Sequence, residues 1–454
     1  MARSSHGLFL ALGLLSGACS SSKAPPASGA GGSITPIDTG SSSGSQAASS
    51  GSSGSSGGSS GGGSSVPPQT AGGSSSGAGL SSSGGAGSGS GAAGGSSGSR
   101  AGGSSSGGAG ASSGSGTAGG QDSGGASASG DAGDPGTTGD GDYMVGPTYT
   151  TSPDLMSKGL PAGKTFNFTL SSTNSKIFMG MDTTLLAANQ HSFTRNVQVY
   201  VPAKYKDGTV APFMVIQDGP GQISLIKFAL DNLTQGTDAT RRIPAFIAIA
   251  VGNGGGDGKG SERGLEYDTM SDRYAQFVQT EVLPAVLADA TIKAAYPNLM
   301  LTTDPEGRGT VGCSSGAAAA LTMGWFRPEW FHRIVTYSGT LVAQQNDTAP
   351  EQAMYPLGAW DYHSVLDLIG TTTPAKPLRV FINANENDNG AGTGDANHHD
   401  WLLANQRTAM ALKSQNYHYR FVEGLGASHC DGRVQNLTMA DTLVWLWQGY
   451  PLNY

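Results

Sequence analysis

The segment Gly312-Cys313-Ser314-Ser315-Gly316 places a serine in surroundings that suit a catalytic nucleophile. It follows residues 309–312, predicted to be a strand, and precedes an alanine-rich helix predicted over 315–323. A serine on a tight turn between a strand and a helix projects its hydroxyl above the sheet, and small flanking residues leave room for neighbouring backbone. The pattern predicts that Ser314 attacks a carbonyl carbon. It also predicts that the Ser315 N–H, at the start of the helix, stabilises the resulting oxyanion.

A serine nucleophile needs a base within hydrogen-bond reach and an acid that orients the base. When the serine lies on such a turn, the acid and then the histidine follow it along the chain. His429, in a Gly/Ser-rich loop after the last predicted strand, is the predicted base, and Asp388, just after an earlier strand, is the predicted acid. Glu386 is the second choice for the acid, and a turn-capping role for Asp388 stays open. Asp395 and Asp400 are more remote alternatives.

The other late histidines lack the placement of His429. His418 heads a predicted strand, so we expect a structural role for it. His398 and His399 lie in a polar loop, where solvated side chains are the simpler interpretation and proximity to a cleft is the alternative.

The second oxyanion donor is expected in the turn that follows the apolar strand 213–216. This turn reads Gln217-Asp218-Gly219-Pro220-Gly221. Pro220 has no N–H group and cannot donate. The sequence therefore predicts Gly219 or Gly221 as the donor.

Two cysteines directly flank the proposed catalytic pair, Cys313 before Ser314 and Cys430 after His429. If Ser314 and His429 form a hydrogen bond, these neighbours come within the Cα separation that a disulfide needs. An exported protein reaches a compartment where such a bond persists. We therefore predict a disulfide between Cys313 and Cys430, with two free thiols as the alternative.

The elements that must position these residues alternate between strands and helices. Apolar strands alternating with helices predict a single α/β domain whose mostly parallel sheet is covered on both faces. The predicted strands are 197–201, 213–216, 245–251, 309–312, 333–337, 378–383 and 417–422. The predicted helices are 274–287, with Ser271 and Asp272 near its start, 315–323, 401–414 and 439–447.

The first 141 residues have a different composition. An arginine and a short apolar run lead to Cys19 after small residues, which predicts a lipoprotein-type signal peptide over 1–19 with Cys19 lipidated. Ordinary cleavage near Ala18 is the alternative. Residues 20–141 are nearly all Ser, Gly and Ala, too poor in large apolar side chains to fold, so they predict a disordered tether. The folded domain is predicted over 142–454.

The net charge of −8 is modest, and the chain contains no run of Lys or Arg. This distribution argues against a nucleic-acid partner. We expect a monomer that contacts the membrane only through its lipid anchor, on either face of an outer membrane.

Nearly the whole region 159–451 resembles one family, the enterochelin-esterase-like branch of the esterase D family of α/β-hydrolases. The matching stretches are 197–202, 217–219, 263–268, 271–274, 312–316, 327–331, 386–388, 403–406 and 419–422, followed by His429. The resemblance implies a carboxylic-ester hydrolase with the triad Ser314, Asp388 and His429 and with no metal or organic cofactor. It also implies substrates among siderophore lactones, feruloyl or acetyl esters of polysaccharides, and small acyl esters.

Arg263 and Glu266 match a segment near the active site of that family, which implies that they bind substrate. An exposed salt-bridging role is the alternative for both.

The sequence departs from the family pattern at two positions. Ala317 stands where relatives usually carry a second glycine, and Cys430 replaces a common serine. The Cys-Ser and His-Cys pairs instead resemble tannases and fungal feruloyl esterases, where a disulfide joins the neighbours of the catalytic residues; this favours phenolic or polysaccharide esters. The alternative function is a non-catalytic surface lipoprotein that uses the same fold to bind a siderophore or glycan.

Overall fold

The computed structural model describes residues 35–36 and 136–454. The predicted signal peptide with Cys19, and the predicted tether apart from 35–36 and 136–141, lie outside the described residues. Among the described residues, no helix combines the length and the apolar character that crossing a bilayer requires.

The strands are numbered along the chain. They are β1 (Thr35–Pro36), β2 (Gly141–Val145), β3 (Lys164–Ser171), β4 (Thr194–Val201), β5 (Val210–Ala211), β6 (Phe213–Ile216), β7 (Ile247–Val251), β8 (Met300–Leu301), β9 (Arg308–Cys313), β10 (Arg333–Tyr337), β11 (Arg379–Asn387) and β12 (His418–Ser428). In the described part of the chain, ten of them form one sheet in the order β1-β2-β12-β11-β10-β9-β6-β7-β4-β3, and β5 pairs separately with β8. The stretch from β2 to β7 is parallel throughout, whereas β1, β4 and β3 join antiparallel at the edges.

The helices connect these strands and flank the sheet. They are α1 (Ile223–Gln235), α2 (Glu262–Tyr267), α3 (Arg273–Phe277), α4 (Leu283–Ala288), α5 (Ala290–Ala295), α6 (Ser315–Phe326), α7 (Leu368–Thr371), α8 (Trp401–Ser414) and α9 (Gly432–Leu446). A π-helical segment, Val278–Val282, joins α3 to α4. Ser271 accepts a hydrogen bond from the Arg273 N–H, 3.3 Å away, as α3 begins.

Both faces of the sheet are buried, which explains why the central strands are apolar at consecutive positions. On β6, Met214 and Ile216 pack into a core with α1 and α9. Phe213 and Val215 point to the other face and pack with α3, α4 and part of α6. Farther along that face, α6 and α8 pack on β10 and β11. The predicted α/β class with a mostly parallel, doubly covered sheet is confirmed.

Element ends differ from the predictions mainly where hydrogen bonds extend them. The bounds of β6, β10 and α8 match the predicted ones. Strand β12 continues to Ser428, because its last residues still pair with β11. Helix α9 begins at Gly432, well before the predicted start, because the Asp431 side chain accepts the Arg433 N–H at 2.8 Å.

The folded domain also begins before the predicted boundary at Asp142. Gly141 is already part of β2, which pairs with β12. Asp140 accepts hydrogen bonds from Trp445 Nε1 and His418 Nδ1, both 2.9 Å long. His418, at the first position of β12, therefore has the structural contact expected of it.

Candidate active site

Ser314 lies between the end of β9 and the start of α6, with φ of +59°. Its N–H donates to the Tyr337 carbonyl of the neighbouring strand at 3.0 Å, which fixes the turn. The flanking glycines are sterically required: a Cβ on Gly312 would collide with the Gly316 carbonyl group, and one on Gly316 would lie 2.8 Å from Asp218 Oδ2. This is the strained strand-to-helix turn that the sequence predicted.

The structure brings the three predicted triad residues together. His429 Nε2 lies 2.9 Å from Ser314 Oγ, and His429 Nδ1 lies 2.5 Å from Asp388 Oδ1. An ionised carboxylate only accepts hydrogen bonds, so Nδ1 carries the proton and Nε2 is left to accept the Ser314 hydroxyl proton. This arrangement suits nucleophilic attack by Ser314 with His429 as base.

Asp388 is a buried carboxylate held in place by several donors. Its Oδ2 accepts the Ser338 hydroxyl at 2.7 Å and the Asn385 N–H at 3.2 Å, and its Oδ1 accepts the Asn389 N–H at 2.9 Å. Ser338 Oγ also accepts the Cys430 N–H at 3.0 Å, which ties the loop of the base to the acid.

The alternative acids are engaged elsewhere. Glu386 is exposed and its Oε2 accepts the Gly426 N–H at 2.7 Å. Asp395 pairs with Arg407, and Asp400 caps α8 through the Leu403 N–H at 2.9 Å. None of the three forms a hydrogen bond with His429 in the described residues. Of the four candidate acids, Asp388 is the one that forms a hydrogen bond with His429 in the described residues.

The predicted disulfide between Cys313 and Cys430 is present, with a Cα–Cα distance of 6.0 Å. It links the residue before Ser314 to the residue after His429. The proposed nucleophile and base are thus joined both by a hydrogen bond and by a covalent cross-link between their neighbours.

In the described residues, neither His398 nor His399 forms a hydrogen bond or a ring contact with a triad residue. The ring of His398 lies 5.2 Å from that of Trp360, and His399 Nδ1 lies 2.6 Å from the Asn397 carbonyl. Trp401 is an aromatic side chain beside the base: its ring centroid lies 6.1 Å from that of His429, and the two ring planes are nearly perpendicular.

In the loop predicted to supply the second oxyanion donor, one of the two candidate N–H groups is already hydrogen-bonded elsewhere. Gly219 was a wrong prediction, because its N–H already donates to the Val251 carbonyl at 3.0 Å. Neither Gly219 nor Gly221 is among the described residues that line the cleft. Asp218, from the same loop, lies next to Gly316 in the strand-to-helix turn. It accepts two hydrogen bonds from Arg263, each 2.8 Å long. Ser315, at the first helical position of α6, keeps an N–H with no partner within its own helix.

A cleft of about 520 Å³ opens beside Ser314 and His429. The rest of its lining is largely polar and consists of Asn253, Gly256, Asp257, Arg263, Gln344, Asn389, Trp401 and Cys430. Arg263 lines the cleft and is also paired with Asp218 and Asp257. The structure is thus compatible with both interpretations of Arg263: it lines the cleft, where it could face substrate, and it forms salt bridges. Its side chain is only 12% exposed.

Glu266 was wrongly predicted to face the substrate or the solvent. Its side chain is fully buried and receives two hydrogen bonds from Arg195, at 2.8 and 3.0 Å. Three positions after Arg263 on α2, Glu266 is buried against Arg195, whose guanidinium carbon lies 4.5 Å from the centroid of the Phe277 ring.

Two further buried carboxyl groups lie on or next to α2. Burial raises the pKa of Glu262 to about 7, and the nearby Glu266 charge adds to the rise. Burial also raises the pKa of Asp268 to about 7, although a hydrogen bond from Ser315 opposes the rise. No group of three or more His, Cys, Asp or Glu side chains in the described residues is arranged to hold a metal ion.

Sequence reasoning missed Ser338 and Trp401 as parts of the site. Ser338 follows β10, the strand next to β9, and the carboxyl ends of parallel strands share one edge of the sheet. This rule could have identified Ser338 as a site residue from the sequence. Trp401 opens α8, and only the folded arrangement of the loop before α8 places it against His429.

The chain belongs to the esterase family whose model is described as "Putative esterase", which matches residues 190–431, more than half of the chain. It is therefore a carboxylic ester hydrolase by class. No curated protein matches the chain.

Several solved structures are similar to this chain. A ferulic acid esterase has 15% sequence identity and a TM-score of 0.43, with 64% of this chain and 99% of that chain covered. A CE1 ferulic acid esterase from Anaeromyces mucronatus, solved with ferulic acid, has 13% identity and a TM-score of 0.44, with 66% and 98% covered. The enterobactin esterase FES from Shigella flexneri has 18% identity and a TM-score of 0.36, with 56% of each chain covered.

Proposed function

We propose that the protein hydrolyses carboxylic esters through an acyl-enzyme formed on Ser314, with His429 as base and Asp388 as the acid that orients it. The observation that carries this proposal is the continuous hydrogen-bond chain from Ser314 Oγ through the His429 ring to Asp388. A serine with positive φ at the start of a buried helix, in contact with such a pair, suits acyl transfer.

The reaction proceeds in two steps. His429 Nε2 takes the hydroxyl proton of Ser314 as Oγ attacks the ester carbonyl carbon, and then returns that proton to the departing alcohol. Water attacks the acyl-enzyme with His429 again as base, which releases the acid and restores the serine. Asp388 keeps the imidazole in the required tautomer and stabilises its charged form.

The Ser315 N–H is the first proposed oxyanion donor, because it opens α6 directly after the nucleophile. Of the two glycines considered for the second donor, Gly221 is the one that is retained, since Gly219 N–H is bound to Val251. Gly221 does not line the cleft among the described residues, so this role requires that the 217–221 turn move towards Ser314 when substrate binds.

We propose a small acyl, phenolic, polysaccharide or siderophore-type ester as substrate, bound without a cofactor by a monomer. The open cleft with amide, charged and hydroxyl groups and the single Trp401 ring supports a substrate with a polar, hydroxylated part. A panel of acetyl, feruloyl, longer acyl and siderophore-lactone esters tests this; turnover restricted to long acyl chains would contradict it.

The catalytic proposal is tested with a fluorophosphonate probe, which reacts with activated serines. We expect labelling of the native protein and loss of labelling in Ser314→Ala. Ser414→Ala is the matched control, since Ser414 is an exposed serine at the end of α8. Failure of properly folded native protein to react would instead support a non-catalytic surface protein that binds a siderophore or glycan.

We also propose that residues 1–19 direct export and that Cys19 carries a lipid that anchors the domain to an outer membrane through the tether at 20–141. Cys19→Ala is expected to move the protein from the membrane fraction to the soluble fraction. An unchanged distribution between these fractions would refute the anchor.

A further inference from the structure

One buried carboxyl group beside the proposed nucleophile has no part in the mechanism described so far. Asp268 directly follows α2 and is 3% exposed. Its Oδ2 accepts a hydrogen bond from Ser315 Oγ, 3.1 Å away. Its Oδ1 is buried and has no hydrogen-bond partner in the described part of the chain. Asp268 therefore contacts the side chain of Ser315, the residue whose N–H is proposed to hold the oxyanion.

Burial raises the pKa of Asp268, the Ser315 hydrogen bond and the nearby Arg263 charge lower it, and the Asp257 and Asp218 charges raise it. Arg263, on α2, gives two hydrogen bonds to Asp218 and a third to Asp257. Asp218 comes from the loop after β6 and Asp257 from the loop after β7. No Lys, Arg or His of the described chain forms an ion pair with Asp268, since Arg263 is committed to the other two carboxylates. A carboxyl group in this setting is expensive to ionise.

Ser315 is a residue that needs such a restraint. It is completely buried, and it stands at the first position of α6, where the backbone N–H has no partner four residues earlier. The direction of that N–H depends on what holds the turn. Asp268, next to α2, holds it through the Ser315 side chain, and the disulfide holds it through Cys313, the residue before Ser314.

We propose that Asp268 is a positioning residue for oxyanion stabilisation, acting through its hydrogen bond to the Ser315 side chain. This inference rests on the proposed function, because it requires that an oxyanion form beside Ser314. Asp268 does not touch the substrate; it fixes the orientation of the donor that does.

The protonation state of Asp268 gives this role a measurable signature. A neutral carboxyl group accepts the Ser315 hydroxyl without adding charge, whereas the ionised group places a negative charge close to the developing oxyanion. Like charges repel strongly where solvent is excluded. Since burial raises the pKa of Asp268 to about 7, kcat is expected to fall as the pH rises through that value.

The test is steady-state hydrolysis of 4-nitrophenyl acetate by the full-length protein and its variants, from acidic to alkaline pH. Asp268→Ala is expected to lower kcat by about 10- to 100-fold with KM nearly unchanged, since a small displacement of a catalytic group has effects of this size. Asp268→Asn keeps an oxygen that accepts the Ser315 hydroxyl and cannot ionise. It is expected to retain kcat at low pH and to lose the decline above neutral pH.

Glu262→Gln is the matched control. Glu262 is a second buried carboxyl group of α2, its oxygens have no hydrogen-bond partner in the described residues, and burial likewise raises its pKa to about 7. It has no contact with Ser315 in the described structure, so the variant is expected to keep both the kcat and the pH profile of the native protein.

The outcomes separate this inference from the proposed function. If the native protein turns over ester but Asp268→Ala keeps kcat within about twofold, or Glu262→Gln loses as much, Asp268 is not a positioning residue and the esterase proposal stands. The same holds if Asp268→Asn keeps the alkaline decline. If the native protein neither turns over ester nor reacts with fluorophosphonate, both proposals fall.

Discussion

Asp388 and Glu386 lie two positions apart at the end of β11 but have different surroundings. Asp388 is buried against His429 and three further donors, whereas Glu386 is exposed and bound to the Gly426 N–H. Side-chain alternation would put positions 386 and 388 on the same face, but β11 ends at Asn387, and the Asp388 N–H turns back to donate to the Asn385 carbonyl at 3.0 Å. The turn after the strand therefore gives Asp388 its different surroundings. The sequence left this choice open, and the hydrogen bond to His429 is what favours Asp388 as the proposed acid.

Asp388→Asn is expected to lower kcat by about 10³- to 10⁴-fold, because an amide that donates to Nδ1 holds the imidazole in the wrong tautomer for accepting the Ser314 proton. Glu386→Gln is the matched control and is expected to retain kcat within about threefold. Ester hydrolysis kinetics of the two variants measure this. Comparable losses in both would remove Asp388 from the role assigned to it.

Residue types and chain order predicted Ser314 and His429 as neighbours and Asp388 as the first of several candidate acids, because few residues of those types lie at strand ends in the required order. The same reasoning failed for Gly219 and Glu266. Whether a backbone N–H is free depends on the strand beside it, here β7 with Val251, and whether a helical side chain faces the cleft depends on how α2 is rotated. Neither property can be read from residue type.

At the scale of elements, the disulfide joins the β9–α6 turn to the β12–α9 loop. Cys313 ends β9, and Cys430 lies two residues beyond β12. The Cys430 N–H also donates to Ser338, which in turn donates to Asp388. The cross-link therefore restrains the base and, through Ser338, the acid.

Cys313→Ala with Cys430→Ala is expected to reduce stability by about 4–5 kcal/mol on the chain-entropy model, because the bond closes a long loop. The sequence separation of the two cysteines is 117 residues. Denaturant unfolding measures this loss, and treatment of the native protein with a reductant is expected to approach the same midpoint. Cys19→Ala is the control and is expected to leave the midpoint unchanged. A double variant as stable as the native protein would contradict the role given to the bond.

Two elements that were not predicted, α1 and β3, nevertheless have a hydrophobic periodicity typical of their structure. In α1, the apolar residues Ile223, Ile226, Leu230 and Leu233 recur at helical spacing and all are buried. In β3, Phe166, Phe168 and Leu170 alternate with polar residues, as expected for an edge strand with one buried side. The short β2 has no comparable pattern, and its place beside β12 follows only from the assembled sheet.

At the scale of the whole molecule, β2 extends the parallel sheet beyond β12, and the residue before it joins three distant parts of the chain. Asp140 accepts from Trp445 of α9 and from His418 of β12, and its carboxylate lies 3.7 Å from Arg379 of β11. Trp445 is 1% exposed, so its indole N–H has no access to water. The composition change in the sequence predicted a domain boundary at Asp142, and this contact lies on the N-terminal side of that position.

A chain that begins at Asp142 is therefore expected to be less stable than one that begins at Gly136. Loss of Asp140 leaves the buried Trp445 N–H without its acceptor, which costs about 1–3 kcal/mol. Chemical denaturation followed by tryptophan fluorescence compares the two chains. A third chain that begins at Gly139 retains Asp140 and is expected to be more stable than the chain that begins at Asp142, since it keeps the acceptor of the Trp445 N–H. If the chains beginning at 139 and 142 unfold at the same denaturant concentration, Asp140 is dispensable and the domain begins where the composition changes.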